Sequence, residues 1–256
     1  MAWWAKSEED LEKIAKAPGA SNVHEIDEPG GGKRVTLPDP DGRIIEVIHG
    51  MEVAEDLPVR DVIINDGKHK FARTDLQRVS ANPGQPSTVK RSAHVVVKTK
   101  SLKKFNKWYQ STLGLAASDH IMAPDELSNN MMTFNHIDAG DEYVDHHVLL
   151  GIQSENAEFN HLSFEVADFD DVNTGHNFLQ SKGYKHAWGV GRHVLGSQIF
   201  DYWRDPWGRI HEHFTDSDVV NNTHEGGRWE VHVGLNNQWG PEFPEDFIDD
   251  PHLHIL

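Results

Sequence analysis

Between Gly191 and Glu212 the chain reads G-R-H-V-L-G-S-Q-I-F-D-Y-W-R-D-P-W-G-R-I-H-E, which places His193, Tyr202 and Glu212 at fixed spacing. Two earlier histidines, His94 in Ala93-His94-Val-Val-Val and His161 in Asn160-His161-Leu-Ser-Phe, open runs of similar pattern. His94, His161 and Glu212 each fall on a predicted strand. Two imidazoles and one carboxylate on one face of a metal leave three adjacent positions open, the donor set of non-haem Fe(II) oxygenases. The sequence contains no cysteine, so disulfides, zinc thiolates, iron–sulfur clusters and thiol nucleophiles are excluded. Any metal must be held by histidine and carboxylate.

These residues need elements that converge, and the sequence supplies a repeat. Asp39-Pro-Asp-Gly-Arg-Ile-Ile-Glu46 returns as Asp205-Pro-Trp-Gly-Arg-Ile-His-Glu212, with six of eight residues the same. Proline fixes φ and glycine relieves the bend of a tight turn, and the strand that follows points alternate residues one way. The two strand openings at His94 and His161 are each followed by an amphipathic stretch, Ser101 to Leu113 and Phe169 to Lys182, closed by Gly114 or Gly183. Ser7 serves as the N-cap of an earlier helix, with Gly19 just beyond its apolar stretch.

The predicted organisation is therefore a βαβββ module over 1–50, a linker over 51–93, a catalytic domain of two βαβββ modules over 94–215, and an extended tail of little regular structure over 216–256. The linker carries Pro58, Pro83 and Pro86, the tail Pro241, Pro244 and Pro251. The fold class is α+β, tandem βαβββ modules forming an incomplete barrel around a metal site, with one unpaired N-terminal module. The stretch Ile121 to Asn130 reads as a loop that shapes the pocket together with the tail.

With these residues in place the chain resembles the type I extradiol dioxygenases of the vicinal oxygen chelate superfamily, which includes the glyoxalases and bleomycin resistance proteins. The family pattern of histidine, tyrosine, acidic residue, Pro-x-Gly and glutamate is filled by His193, Tyr202, Asp205, Pro206, Gly208 and Glu212. The family also carries a histidine, often after Asp, fifteen residues before its second metal histidine, which Asp145-His146 and His161 match. Strand alternation would turn His147 to the opposite face. The residue before the tyrosine is usually aliphatic and here is Asp201, expected to face away from the cavity. Two-domain relatives have four modules, so a first module is missing here, and the face of the 1–50 module must pair within the chain or with another subunit.

The resemblance implies extradiol cleavage of a catechol or polyhydroxylated ring by O2, with His94, His161 and Glu212 holding Fe(II), or Mn(II), which accepts the same ligands. It implies that His193 and Tyr202 hydrogen-bond the bound diol, and that His146 faces the oxygen side and donates a proton. The expected partners are an aromatic diol, O2 and other copies of the chain. A metal-dependent glyoxalase-type isomerase or lyase is the alternative, although such relatives usually carry a glutamate where this chain has His161. A ligand-binding protein on the same scaffold is a third reading.

Other features take plainer readings. The chain has 256 residues and is 37% hydrophobic, enough for a sizeable core. With 24 Lys and Arg against 41 Asp and Glu, its net charge of −17 repels nucleic acid and anionic membranes. No signal peptide or membrane span is evident, which predicts a cytoplasmic protein. Glu46 has no histidines beside it and reads as a solvated or hydrogen-bonded strand residue. His211 and His213 alternate away from Glu212. Trp203 and Trp207 read as packing at the end of the barrel, and His252 and His254 as part of an acidic, solvated surface.

Overall fold

A computed structural model describes residues 1–56, 58–59, 62–74, 84–124 and 126–247. His252, His254 and Pro251 lie outside the described residues. Residues 1–50 form β1 (Ala2–Trp4), α1 (Glu8–Ile14), β2 (His24–Glu25), β3 (Lys33–Pro38) and β4 (Ile44–His49). There follow β5 (Val89–Thr99), α2 (Leu102–Leu113), β6 (Leu115–Ala123), β7 (Glu126–Ile137), β8 (Val144–Asp145) and β9 (Leu149–Gln153). The next group is β10 (Phe159–Val166), α3 (Phe169–Ser181), β11 (Lys185–His193), β12 (Ile199–Arg204) and β13 (Ile210–Thr215). The tail carries β14 (Val219–Val220), β15 (Gly227–Glu230), α4 (Val231–Gly234) and β16 (Asn237–Trp239).

The helices begin where side chains satisfy free backbone donors. The Ser7, Ser101 and Asp168 side chains accept from the N–H groups of Asp10, Lys104 and Asp171. Gly114 ends α2 in the left-handed conformation, at φ 70°.

One strand pattern repeats three times: β1 runs parallel to β4, β5 to β9 and β10 to β13, while the remaining pairs within each module are antiparallel. Antiparallel pairing of β5 with β10 joins the second and third modules into a ten-stranded sheet, in the order β15-β6-β7-β9-β5-β10-β13-β12-β11-β16. The sheet is open, with β15 and β16 at its two ends. The fold is thus α+β, without a closed barrel.

Three predicted boundaries differ. The linker gives way to strand at Val89, where Lys90 and Arg91 pair with Glu165 on β10. The loop expected over 121–130 is a hairpin, since β6 continues to Ala123 and β7 starts at Glu126. The tail is more regular than its proline and acidic content suggests. It adds β15 parallel to β6 and β16 antiparallel to β11, because the outer strands offer unpaired backbone groups that any extended neighbour can complete.

The first module packs within the chain. Leu11, Val35, Leu37, Ile45 and Val47 share one apolar core with Val97, Leu102, Phe105, Tyr109, Leu115 and Leu149. The buried Tyr109 hydroxyl donates to Asp39 Oδ2 at 3.1 Å, and Arg43 donates to the Lys98 carbonyl. Glu46, the repeat counterpart of Glu212, is held by Arg34 at 3.0 Å.

Candidate metal centre and aromatic cavity

The join between β5 and β10 is irregular at the position that matters. Leu162 pairs with Val95 but Phe164 pairs with Ser92, so one extra residue bulges out around His94. The Ser163 hydroxyl replaces the lost ladder bonds, accepting from His94 N at 2.8 Å and donating to His94 O at 3.0 Å. On the other side of β10, Ser163 pairs with Glu212 of β13. Three neighbouring strands thereby deliver three donors to one point.

His94 Nε2 lies 2.7 Å from Glu212 Oε2, and His161 Nε2 lies 3.8 Å from the same oxygen. One ligand atom from each of the three lies within 4.8 Å of the others, and all three residues are buried. Asn160 Oδ1, 2.7 Å from His161 Nδ1, orients that ring with Nε2 toward the centre. Burial first, then His94, holds His161 well below the ordinary histidine pKa, which keeps it neutral and able to ligate.

Glu212 is fully buried, and neither of its oxygens has an aligned hydrogen bond among the described residues. Burying a carboxylate without compensation costs several kcal/mol, on the order of what a bound cation would offset. The donor set of two imidazoles and one buried carboxylate without an aligned hydrogen bond among the described residues therefore fits a divalent metal.

Above this cluster opens a cavity. Its walls are mainly apolar and aromatic, with Trp188, Phe243, Phe247 and Leu195 prominent, and no lysine or arginine lines it among the described residues. His193 and Tyr202 both reach it. The Tyr202 hydroxyl lies 3.0 Å from His193 Nε2 and can donate to it. Burial pushes the Tyr202 hydroxyl well above its ordinary pKa, with the Glu212 charge acting the same way. Burial likewise holds His193 down to about 4. The phenol is thus protonated and the imidazole neutral at pH 7.

One expectation is overturned. His146 does not face the cavity; its Nε2 is bound to Asp119 Oδ2 at 2.9 Å in a buried layer behind. His147 lines the cavity instead, with its ring centroid 4.2 Å from that of His94. The strand β8 ends at Asp145, so the alternation assumed for 145–147 does not hold there. Burial and the nearby His94 hold the His147 pKa well below the ordinary value.

Trp188, Phe243 and Phe247 were not singled out by spacing, and the last two come from the tail. Asp201 faces away from the cavity, under α3. His211 and His213 also point away, with His211 near Asp205 and His213 half-buried on the far side. Trp203 is buried on that far side, and Trp207 is exposed.

Residues 91–212 match the Glyoxalase/Bleomycin resistance protein/Dioxygenase superfamily. Metapyrocatechase 2 of Cupriavidus necator is 31% identical over 248 residues, covering 94% of this chain and 72% of that protein. The Mn(II)-bound glyoxalase from Novosphingobium aromaticivorans superposes with a TM-score of 0.72 at 23% identity, over 95% of this chain and 72% of that one. Homoprotocatechuate 2,3-dioxygenase from Arthrobacter globiformis superposes with a TM-score of 0.71 at 18% identity, over 98% of this chain and 72% of that one.

Proposed function

Because the chain belongs to the glyoxalase/bleomycin resistance/dioxygenase superfamily, among its extradiol dioxygenases, we propose that it cleaves a catechol ring beside the diol at an Fe(II) centre held by His94, His161 and Glu212. The observation that carries this reading is the buried Glu212 carboxylate, converging with two imidazole nitrogens beneath an aromatic cavity and lacking an aligned hydrogen bond among the described residues.

Fe(II) held there supplies a Lewis acid for the diol and a route for electrons between diol and O2. The remaining work falls to the chain. Trp188, Phe243 and Phe247 stack around the ring and exclude water. Neutral His193 accepts a proton or hydrogen bond from one diol hydroxyl, and Tyr202, kept protonated, donates to an oxygen that gains charge. His147, in the cavity beside His94 and kept neutral by burial, is placed to hydrogen-bond an oxygen there, and it would pass on a proton only after taking one released by the diol. Both oxygen atoms end in a ring-opened hydroxy-semialdehyde acid, and the electrons come from the diol, so no organic cofactor is needed.

The cavity also favours a substrate class. With no lysine or arginine in its wall among the described residues, a ring carboxylate would be desolvated with no partner there, whereas alkyl or aryl substituents match the apolar lining. Substituted, uncharged catechols and trihydroxybenzenes are therefore the expected substrates.

Protein loaded with Fe(II) under anaerobic conditions and then given 4-methylcatechol and air should turn yellow as the ring opens. A carboxylated catechol should react at least ~10-fold less efficiently, given roughly 1.4 kcal/mol or more for an unpaired buried charge. An unchanged catechol spectrum would contradict the activity, and equal efficiency with both substrates would contradict the assignment of substrate class.

A further inference from the structure

Asp201 immediately precedes Tyr202 on β12 and so points to the opposite side of the sheet, beneath α3. Its side chain is fully buried, yet it meets two histidines from two other elements. Oδ1 lies 2.8 Å from His186 Nε2 of β11 and 3.2 Å from His176 Nδ1 of α3, and Oδ2 lies 3.2 Å from the same His176 nitrogen. The Trp203 indole N–H donates to Oδ2 at 2.5 Å and fixes the carboxylate plane. The two imidazoles stand edge to face, with centroids 4.9 Å apart.

All three donor atoms lie within 4.8 Å of one another. Ligands at zinc distances of about 2.0–2.1 Å in a tetrahedron sit roughly 3.3 Å apart, so the 3.2 Å contact of His176 to Asp201 already has that spacing and the 2.8 Å contact of His186 needs to lengthen by about 0.5 Å. The remaining pair needs only a small rotation of imidazoles that keep one edge in solvent, with side chains 24% and 34% exposed. That same exposure leaves room for water as a fourth ligand.

One further fact favours a cation here. The carboxylate is held by an indole N–H, the kind of outer contact that orients a ligand.

We propose that His176, His186 and Asp201 form a second site for a divalent transition metal of the zinc class, separate from the catalytic cluster. Its three ligands come from α3, β11 and β12, so the ion cross-links the helix to the two strands that carry His193 and Tyr202. Its role is structural, since none of its ligands lines the aromatic cavity.

The test counts Zn2+ per chain after equilibration and gel filtration, with melting temperature as a second readout. Wild type should retain two ions, Glu212→Ala one, and Glu212→Ala combined with His176→Gln and His186→Gln none. Zinc should raise the melting temperature of Glu212→Ala but not that of the combined variant. If His176→Gln and His186→Gln prevent folding, the Co2+ spectrum of Glu212→Ala decides: intense visible bands of a tetrahedral site support the proposal, and their absence overturns it. Equal zinc content in Glu212→Ala and the combined variant would also overturn it.

Discussion

At the scale of single residues, spacing made the three clustered donors and the His193–Tyr202 pair legible, because a run of fixed turns and strands leaves little freedom in where they point. His147 was not legible. His146 N bonds to Asp218 O and Val148 N to Asn135 O, so residues 146–148 answer to two partners outside any regular strand, and alternation misassigned them. His147→Asn should lower kcat by about 10²–10⁴, the usual contribution of a general acid, whereas His146→Asn should cost less and act on stability through the lost Asp119 contact. Equal losses of kcat, or the reverse order, in steady-state assays would restore the assignment to His146. Asn160→Ala should weaken metal binding about 10–100-fold by freeing the His161 ring, as read from metal titrations.

The pH response follows from the same buried groups. His193 sits at about 4 in the fold, against an ordinary value of 6.5. On acidification the unfolded chain therefore takes up this proton first. Stability is complete above pH 6.5 and declines as pH falls toward 4, by at most about 3 kcal/mol from this group. His147 and His161 are shifted in the same direction by burial and add to the decline. Denaturant unfolding of metal-free protein between pH 7 and pH 4.5 should show this loss, and His193→Asn should make it shallower.

At the scale of elements, the βαβββ modules and their turns were legible because the Asp-Pro-x-Gly-Arg-Ile repeat and the helix caps are local signals. The strands of the tail were not, since their pairing depends on sheet edges supplied by distant segments. The bulge at His94 depends on such pairing too. Ser163→Ala would strip both backbone groups of His94 of their partner and should cost about 1–3 kcal/mol in unfolding experiments. Helix α2 lies so close to β9 that a Cβ on Gly151 would come within 2.6 Å of the Phe105 ring. Gly151→Val should accordingly destabilise by roughly 1–3 kcal/mol or more through overpacking. A stability within ~0.5 kcal/mol of wild type for either variant would contradict the packing described here.

At the scale of the whole molecule, one apolar core runs from the N-terminal module through α2 into the large sheet. The sequence predicted only that the face of this module pairs within the chain or with another subunit, and did not choose, because the residues that meet, such as Asp39 of the repeat and Tyr109, are far apart in the chain. Heating should therefore give a single cooperative transition rather than separate melting of residues 1–50. Among the described residues no helix is long and apolar enough to cross a membrane. The open sheet holds the three candidate metal donors on β5, β10 and β13 at its centre, and the tail closes the aromatic cavity above them.

The most direct measurement is oxygen uptake by Fe(II)-loaded protein supplied with an alkylcatechol, beside a Glu212→Ala control. One O2 consumed per ring opened, with uptake abolished in the control, is the predicted result. Ring opening without matching O2 uptake, or full activity in Glu212→Ala, would contradict the central claim.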